Sequence, residues 1–336
     1  MRVLLVADTH LGLDDPVRPR VERRRRGPDF FANFDRALEP ARRGEVDLVV
    51  HGGDLLFRSK VRPSLVARAL APLIEIAERD LPVVLVAGNH ERSALPYPLL
   101  AAHPGLHVLE QPRTINLEVH GRVVSVAGFG CIRNGSRDVF AAALETTGWR
   151  QTPAAIRLLC LHQTVEGARV GPAHFCFRGG PDVVRGRDIP TGFAAVLAGH
   201  IHRHQVLTRD LRGQRLAAPV LYPGAVERTS FAERAEPKGF VTAELDPDPS
   251  AGGRLRSWRF HRLPTRPLED IVVNVSNRTA EELTREITES LFGLDRDAVV
   301  RLRMVGTPRP EARSAVSAPA VRALAPPSMT VETRWG

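Results

Sequence analysis

Cysteine is scarce in this chain of 336 residues: Cys131, Cys160 and Cys176 are the only three, and none is spaced as C-x-x-C. An odd, scattered set excludes a disulfide framework and a thiolate zinc site, so a reducing, cytoplasmic setting is expected. Lysine is rarer still, occurring only at Lys60 and Lys238, and the net charge of +9 is carried by arginine. Aromatic residues make up 5% of the chain, which argues against extended base stacking along single strands as the main binding mode. No run approaches the ~20 apolar residues of a membrane span. The opening Met1-Arg2-Val3-Leu4-Leu5-Val6-Ala7 is too short for a signal peptide and leads straight into acidic and histidine chemistry. What remains is an ordinary globular composition, 43% hydrophobic and 25% charged, long enough for one large α/β domain and a smaller one. The positive balance points to a polyanionic partner.

Apolar runs rich in branched residues mark strands buried on both faces, and each delivers polar chemistry at its carboxyl end. Val3-Leu4-Leu5-Val6 leads to Asp8-Thr9-His10, and Val46-Asp47-Leu48-Val49-Val50 leads to His51-Gly52-Gly53-Asp54. Val83-Val84-Leu85-Val86 opens onto Gly88-Asn89-His90-Glu91, and Ile156-Arg157-Leu158-Leu159-Cys160-Leu161 ends at His162. Phe193-Ala194-Ala195-Val196-Leu197-Ala198 gives way to Gly199-His200-Ile201-His202. Between these strands, Phe30, Phe34, Ala37 and Leu38 recur at helical spacing after the loop arginines 23–26, and Pro63 opens a second helix, with a kink expected at Pro72. Residues 114–128 read as a hairpin, and 165–190 as a long connection of the kind that is usually functional or mobile.

The register changes beyond about Pro264. Residues 271–275 and 298–304 read as strands, and 279–292 as a helix capped by Thr279 with Glu282 three positions on. The Pro-, Ala- and Ser-rich stretch 306–327 is expected to hold a broken helix or loop. A separate small α/β domain follows from this pattern.

In open α/β sheets, sites form where strands end, so residues distant in sequence converge there. Oxygen and nitrogen donors without thiolate suit Mn²⁺, Fe²⁺ or Zn²⁺, and enough ligands exist for two ions sharing a bridging carboxylate. Any one of these histidines alone is more often structural than ligating. Their joint placement after strands is what makes metal chemistry the better reading.

In order and spacing, Asp8-x-His10, Gly53-Asp54, Gly88-Asn89-His90-Glu91, His162 and Gly199-His200-x-His202 resemble the five-part signature of the calcineurin-like metallophosphoesterases. Within that superfamily, Ala7-Asp8-Thr9-His10-Leu11-Gly12, the Gly-Asn-His-Glu block, Tyr222-Pro223-Gly224-Ala225-Val226-Glu227-Arg228-Thr229-Ser230 and Lys238-Gly239-Phe240 resemble the SbcD-type DNA repair nucleases. The resemblance implies an α/β fold, a two-sheet metallophosphoesterase sandwich flanked by helices over residues 1–262, with a small α/β capping domain over 263–336. It implies that Asp8, His10 and His202 hold one divalent ion, that Asn89, His162 and His200 hold the other, and that Asp54 bridges them. Mn²⁺ is the first expectation, with Fe²⁺, Zn²⁺ or Mg²⁺ as alternatives. His90 would face the scissile phosphate as the catalytic residue. The family commonly places a histidine shortly after the bridging aspartate, where this chain has Phe57 followed by Arg58.

The activity so implied is metal-dependent DNA phosphodiester cleavage, exonucleolytic, endonucleolytic or both, in DNA repair. A metallophosphatase acting on small phosphoesters or phosphoproteins, and a non-catalytic scaffold, are the alternatives on the same fold. Arg23, Arg24, Arg25, Arg26, Arg58, Lys60 and Arg62, with Arg133, Arg137, Arg178 and Arg203, are the candidate DNA backbone contacts, since phosphate contacts give affinity without sequence readout. The resemblance also implies a homodimer and an SbcC-type ATPase partner. The chain ends at Gly336, soon after the apparent cap, which leaves little room for an attachment segment.

Overall fold

The computed structural model of the protein describes residues 1–15, 25–91, 95, 96, 100 and 103–336. In chain order the strands are β1 (Arg2–Val6), β2 (Leu48–His51), β3 (Val83–Val86), β4 (Leu106–Leu109), β5 (Arg113–Val119), β6 (Arg122–Gly128), β7 (Ile156–His162), β8 (Thr164–Val165), β9 (Arg169–Val170), β10 (Phe175–Cys176), β11 (Val183–Val184), β12 (Ala195–Gly199), β13 (Gln205–Arg209), β14 (Arg215–Tyr222), β15 (Gly239–Asp246), β16 (Arg254–Arg262), β17 (Leu268–Asn274), β18 (Val299–Val305) and β19 (Thr330–Trp335). The described α-helices are α1 (Gly27–Arg42), α2 (Pro63–Ala77), α3 (Ser136–Thr146), α4 (Ala280–Phe292) and α5 (Ala318–Leu324). Pro72 lies inside α2, which continues to Ala77.

Two six-stranded sheets, ordered β16-β15-β1-β2-β3-β4 and β13-β14-β12-β7-β6-β5, form the large unit. Their central strands are parallel, with β15, β16, β5 and β13 antiparallel at the margins. The period-two alternation of each buried run sends side chains to both faces. Val3, Leu5, Val50 and Val84 point inward onto Val126, Leu158, Cys160 and Leu197 of the other sheet. Leu4, Val6, Val49 and Leu85 point outward into a second core filled by Phe30, Phe34 and Leu38 of α1 and by Leu70 and Leu73 of α2. On the far side, Leu159, Leu161, Val196 and Ala198 pack under Phe140 and Leu144 of α3. The result is the two-sheet sandwich flanked by helices that the resemblance implies. Each fully buried aliphatic or aromatic side chain contributes about 1.5–3 kcal/mol, so these layers hold the strand ends as a rigid frame. Among the described residues no helix is long and apolar enough to cross a membrane.

A second compact unit contains Thr265–Gly336 together with Arg228–Arg234. Strands β17, β18 and β19 form a parallel sheet whose one face packs Val273, Val300 and Leu302 against Leu283 and Ile287 of α4. The capping box at Thr279 is present: its Oγ1 accepts from the Glu282 amide at 3.2 Å, and Glu282 Oε2 accepts from the Thr279 amide at 2.8 Å. The stretch read as a broken helix or loop holds a 3₁₀ turn at Pro310–Ala312 and the short α5. Strand β19 has no counterpart in the sequence reading, because its alternation begins only after the Pro-rich run ends.

Candidate dinuclear metal centre

The loops after β1 and β2 are stitched together by backbone bonds. The amides of Asp8, His10 and Leu11 donate to the carbonyls of Gly53, Asp54 and Leu55 at 2.9, 3.0 and 2.9 Å. This sets Asp8 and His10 beside Asp54. Parallel pairing of β12 with β7 places Gly199 opposite His162, so His200 emerges next to it. All seven candidate ligands therefore meet at one end of the sandwich.

They meet as two groups around Asp54. On one side His10 Nε2 and His202 Nε2 lie 2.9 Å apart, with Asp54 Oδ2 at 3.9 Å from the first and Asp8 Oδ1 at 3.9 Å from the second. On the other, Asn89 Oδ1 is 3.1 Å from both His162 Nε2 and His200 Nδ1, and Asp54 Oδ2 is 3.3 Å from His162 Nε2. Converging imidazole nitrogens and carboxylate oxygens, with no thiolate among them, suit hard to borderline divalent ions. The residues fit a metal pair. His162 Nδ1 donates to the Gly52 carbonyl at 2.8 Å, which orients the ring and leaves Nε2 as the atom that could ligate.

Burial and charge push these groups apart in protonation. For Asp54, burial alone would raise the carboxyl, but the His162 charge and hydrogen bond, then His10 and His90, hold it well below the usual range. His162, although buried, is lifted to about 9 by the Asp54 and Asp8 carboxylates. Burial lowers His10 to about 3, helped by the neighbouring His202 charge, and lowers His200 to about 4, helped by His162. Asp8 is raised, chiefly by burial. An ionised Asp54 beside neutral His10 and His200 gives protonation states that a cation pair needs, whereas His162, held charged by the carboxylates, would give up its Nε2 proton to a bound cation.

The backbone is strained where the ligands sit. Asp8, His10, Asp54 and His200 have φ of 51°, 42°, 53° and 84°, a region that non-glycine residues visit rarely and that costs about 1–3 kcal/mol each. Two glycines make the close packing possible. Gly53, at φ 102°, would put a Cβ 2.4 Å from His162 Nδ1, and Gly88 would put one 2.2 Å from Asp54 Oδ1.

Several groups that orient the ligands carried little signal in the sequence. Glu91 is fully buried, and its carboxylate accepts from the amides of Gly88 at 2.7 Å, Asp54 at 3.1 Å and Leu56 at 2.8 Å. Burial and the Asp54 charge push this carboxyl up to about 8, against the pull of those amides. Lys238, also fully buried, donates to the His202 carbonyl at 2.8 Å and pairs with Glu236 at 3.3 Å. In the sequence it is marked as one of two lysines and by the Lys238-Gly239-Phe240 motif, neither of which shows what it holds. Tyr222 donates to the Gln163 carbonyl at 2.9 Å and accepts from the Val165 amide at 2.9 Å, which fixes the turn after His162. His51 accepts from the Gly53 amide at 3.2 Å and lies 3.1 Å from the Thr9 hydroxyl, supporting both loops from behind.

His90 stands at the mouth, its side chain about one third exposed at 34%. Its amide donates to Asp54 Oδ1 at 3.0 Å, and its Nδ1 donates to the Phe57 carbonyl, so Nε2 faces the centre 3.8 Å from Asp54 Oδ2. Arg133 reaches in to donate to the Asn89 carbonyl. Arg58, Lys60 and Arg62 are exposed on the loop that follows Asp54. Arg23 and Arg24 lie outside the described residues, Arg25 pairs with Asp14 at 3.3 Å, and Arg26 is buried with its guanidinium on the Arg228 carbonyl. Arg26 serves the fold, because a buried cation must spend its donors on internal acceptors.

A two-sheet sandwich carrying paired imidazole and carboxylate clusters at its strand ends is the arrangement of a candidate dinuclear metal site. The profile of the calcineurin-like phosphoesterases matches residues 1–204, and the chain belongs to that family. It is 29% identical over 307 residues, 91% of its length, to the DNA double-strand break repair protein Mre11 of Haloferax volcanii, of which it covers 61%. It is 24% identical to the Mre11 protein of Archaeoglobus fulgidus over 96% of its own length and 72% of that protein's. To a subunit of the nuclease SbcCD of Bacillus subtilis it is 26% identical over 75% of its own length and 68% of that protein's. Against the Haloferax protein the chain thus spans about three fifths of its relative's length, and against Methanopyrus kandleri Mre11 62%.

Proposed function

We propose that the protein is a two-metal DNA phosphodiesterase of DNA repair, with Asp8, His10 and His202 on one ion, Asn89, His162 and His200 on the other, and Asp54 shared. The observation that carries this is the convergence of those side chains into two clusters about one buried carboxylate. Similarity to DNA repair nucleases along most of the chain supports the choice of substrate. Bound divalent ions, Mn²⁺ first, supply Lewis acidity: neutralised phosphate oxygens and a water acidic enough to attack at neutral pH. The chain's own residues do the rest. His162 and its Gly52 bond, with Glu91 and Lys238 behind the other ligands, hold the donors in place. His90, turned by its bond to the Phe57 carbonyl, presents Nε2 to the phosphate and hands a proton to the departing 3′-oxygen. Arg58, Lys60 and Arg62 hold the DNA backbone by charge alone.

Residues 263–336 are proposed to act as a capping domain. A homodimer and an SbcC-type ATPase complete the proposal, the latter because the Bacillus relative is named as one subunit of a larger nuclease. Metal-stripped protein resupplied separately with Mn²⁺, Mg²⁺ and Zn²⁺ tests the reading, using end-labelled duplex, single-stranded and hairpin DNA beside a chromogenic phosphomonoester. DNA cleavage that needs both metal and His90, and disappears in H90A, is expected. Turnover of the monoester alone would move the protein to the phosphatases.

A further inference from the structure

The connection between β8 and β11 contains a hairpin that neither the metal centre nor the fold uses. Strands β9 and β10 pair antiparallel, Phe175 opposite Val170 and Cys176 opposite Arg169. The turn between them is closed by the His174 amide on the Gly171 carbonyl at 3.1 Å, with Pro172 presetting the bend. Phe177 packs against the core beneath α3 and so anchors the hairpin. Phe175 does the reverse. It is 60% exposed, and its ring meets Phe177 edge to face, 5.1 Å between centroids at 90°, which fixes its orientation.

The hairpin is clipped to the metal-bearing strand end by the residues that follow His202. Arg203 donates to His174 Nδ1 at 2.9 Å. Gln205 accepts from the Arg169 amide at 2.8 Å and donates to the Arg169 carbonyl at 2.9 Å, completing both backbone groups of that residue with one side chain. An outward-facing phenyl ring is thus held on a hairpin clipped to the residues that follow the proposed ligand His202, with the exposed cation Arg178 three positions further along the chain. A lone surface phenylalanine needs no explanation. One set edge-on against Phe177, followed by an exposed arginine and carried on a hairpin clipped to the proposed ligand's own loop matches a partner that carries both π-faces and phosphates.

We propose that the β9–β10 hairpin is a base-stacking subsite, in which Phe175 receives an unpaired nucleobase of the DNA strand whose phosphate lies at the metal centre, while Arg178 holds the adjoining backbone. This rests on the DNA reading above and adds to it a preference for frayed, single-stranded or hairpin-loop DNA over paired duplex. One aromatic platform at the site is compatible with a chain poor in aromatics, since it needs a single ring and no extended stacking track.

The test is binding, with Mn²⁺ present and H90A carried in every protein compared so that no cleavage intervenes, of oligonucleotides carrying 2-aminopurine at either end or in a hairpin loop. Stacking on Phe175 quenches that base, and F175A is expected to abolish the quench and weaken binding roughly five- to one-hundred-fold, with F175W restoring both. An abasic nucleotide at the same position should bind wild type as weakly as the normal strand binds F175A. Because Phe175 is exposed, an unchanged thermal midpoint for F175A checks that the fold is intact. Equal affinity and equal quenching in wild type and F175A, or no effect of the abasic substitution, would overturn the subsite while leaving DNA cleavage standing. Wild-type protein that hydrolyses bis(p-nitrophenyl) phosphate with Mn²⁺ yet neither binds nor cuts DNA would overturn the substrate reading, and the subsite with it.

Discussion

Glu91 offers a sharp test of how the metal centre is built. Its carboxylate accepts from the amides of Gly88, Asp54 and Leu56, and so ties the loop bearing Asn89 and His90 to the loop bearing Asp54. In E91Q the amide oxygen can take the place of Oε2 and keep Gly88 and Asp54, but its NH₂ then faces the Leu56 N–H. One buried donor loses its acceptor, at about 1–3 kcal/mol. E91L strands all three donors, about 3–9 kcal/mol on the same scale, a large share of the ~5–15 kcal/mol by which domains are stable. Displacing the backbone of a bridging ligand should also weaken Mn²⁺ roughly ten- to one-hundred-fold, as loss of an orienting group typically does. Urea unfolding of the metal-free protein reads the first effect, and calorimetric titration with Mn²⁺ reads the second. E91Q matching wild type in both would refute the reasoning. It would mean that burial and the Asp54 charge, which push the carboxyl up to about 8, keep it protonated, so that a neutral amide replaces it without loss.

Three further outcomes are expected. K238M removes a fully buried ammonium that holds the His202 carbonyl and leaves Glu236 with Arg203 as its remaining cation, so urea denaturation should show a loss of about 3–5 kcal/mol; a variant within experimental error of wild type would show that the pair contributes nothing net. G53A forces a Cβ to within 2.4 Å of His162 Nδ1 at a positive φ, and Mn²⁺ affinity measured by titration should fall while the far-ultraviolet spectrum of the folded protein is retained. Asp270 accepts from Arg301 at 2.6 and 3.1 Å and from Arg303 at 3.1 Å, interactions that depress its carboxyl below the ordinary 3.8. A depressed folded value stabilises above the unfolded one and is lost as pH falls through the folded one. Acid unfolding followed by circular dichroism should therefore show a step below pH 3.8 that D270N removes.

The strain at Asp8, His10, Asp54 and His200 bears on function as well as on stability. Left-handed backbone at four site residues persists only where the surroundings over-determine it. Here the surroundings are the stitched β1 and β2 loops, the Asp8 carboxylate on the His200 amide at 3.1 Å from each oxygen, and Glu91 beneath. Such a frame pre-positions ligands before any ion arrives, and so limits the reorganisation that binding requires.

By itself the amino-acid sequence determined the strands, because Val, Leu and Ile runs of four to seven residues can be satisfied only by burial on both faces. It also singled out the Asp, His and Asn residues after each run as candidates for chemistry, because such side chains seldom serve a core. Periodicity and capping likewise marked α1, α2 and α4. Only the tertiary structure decided the rest. Which imidazole faces which carboxylate follows from the parallel register of β12 on β7 and from the loop pairing of β1 with β2, long-range contacts that leave no local pattern. The same holds for the roles of Glu91, Lys238 and Tyr222, which sit in recognisable motifs but whose partners, backbone groups and for Lys238 also Glu236, are set by long-range packing. It holds for Arg26, which a charge run marks as solvated and the fold buries on the Arg228 carbonyl. And it holds for Phe175: local composition makes 165–190 a loop, whereas side chains from residues 203 and 205 lock part of it into a hairpin tied to the segment after His202.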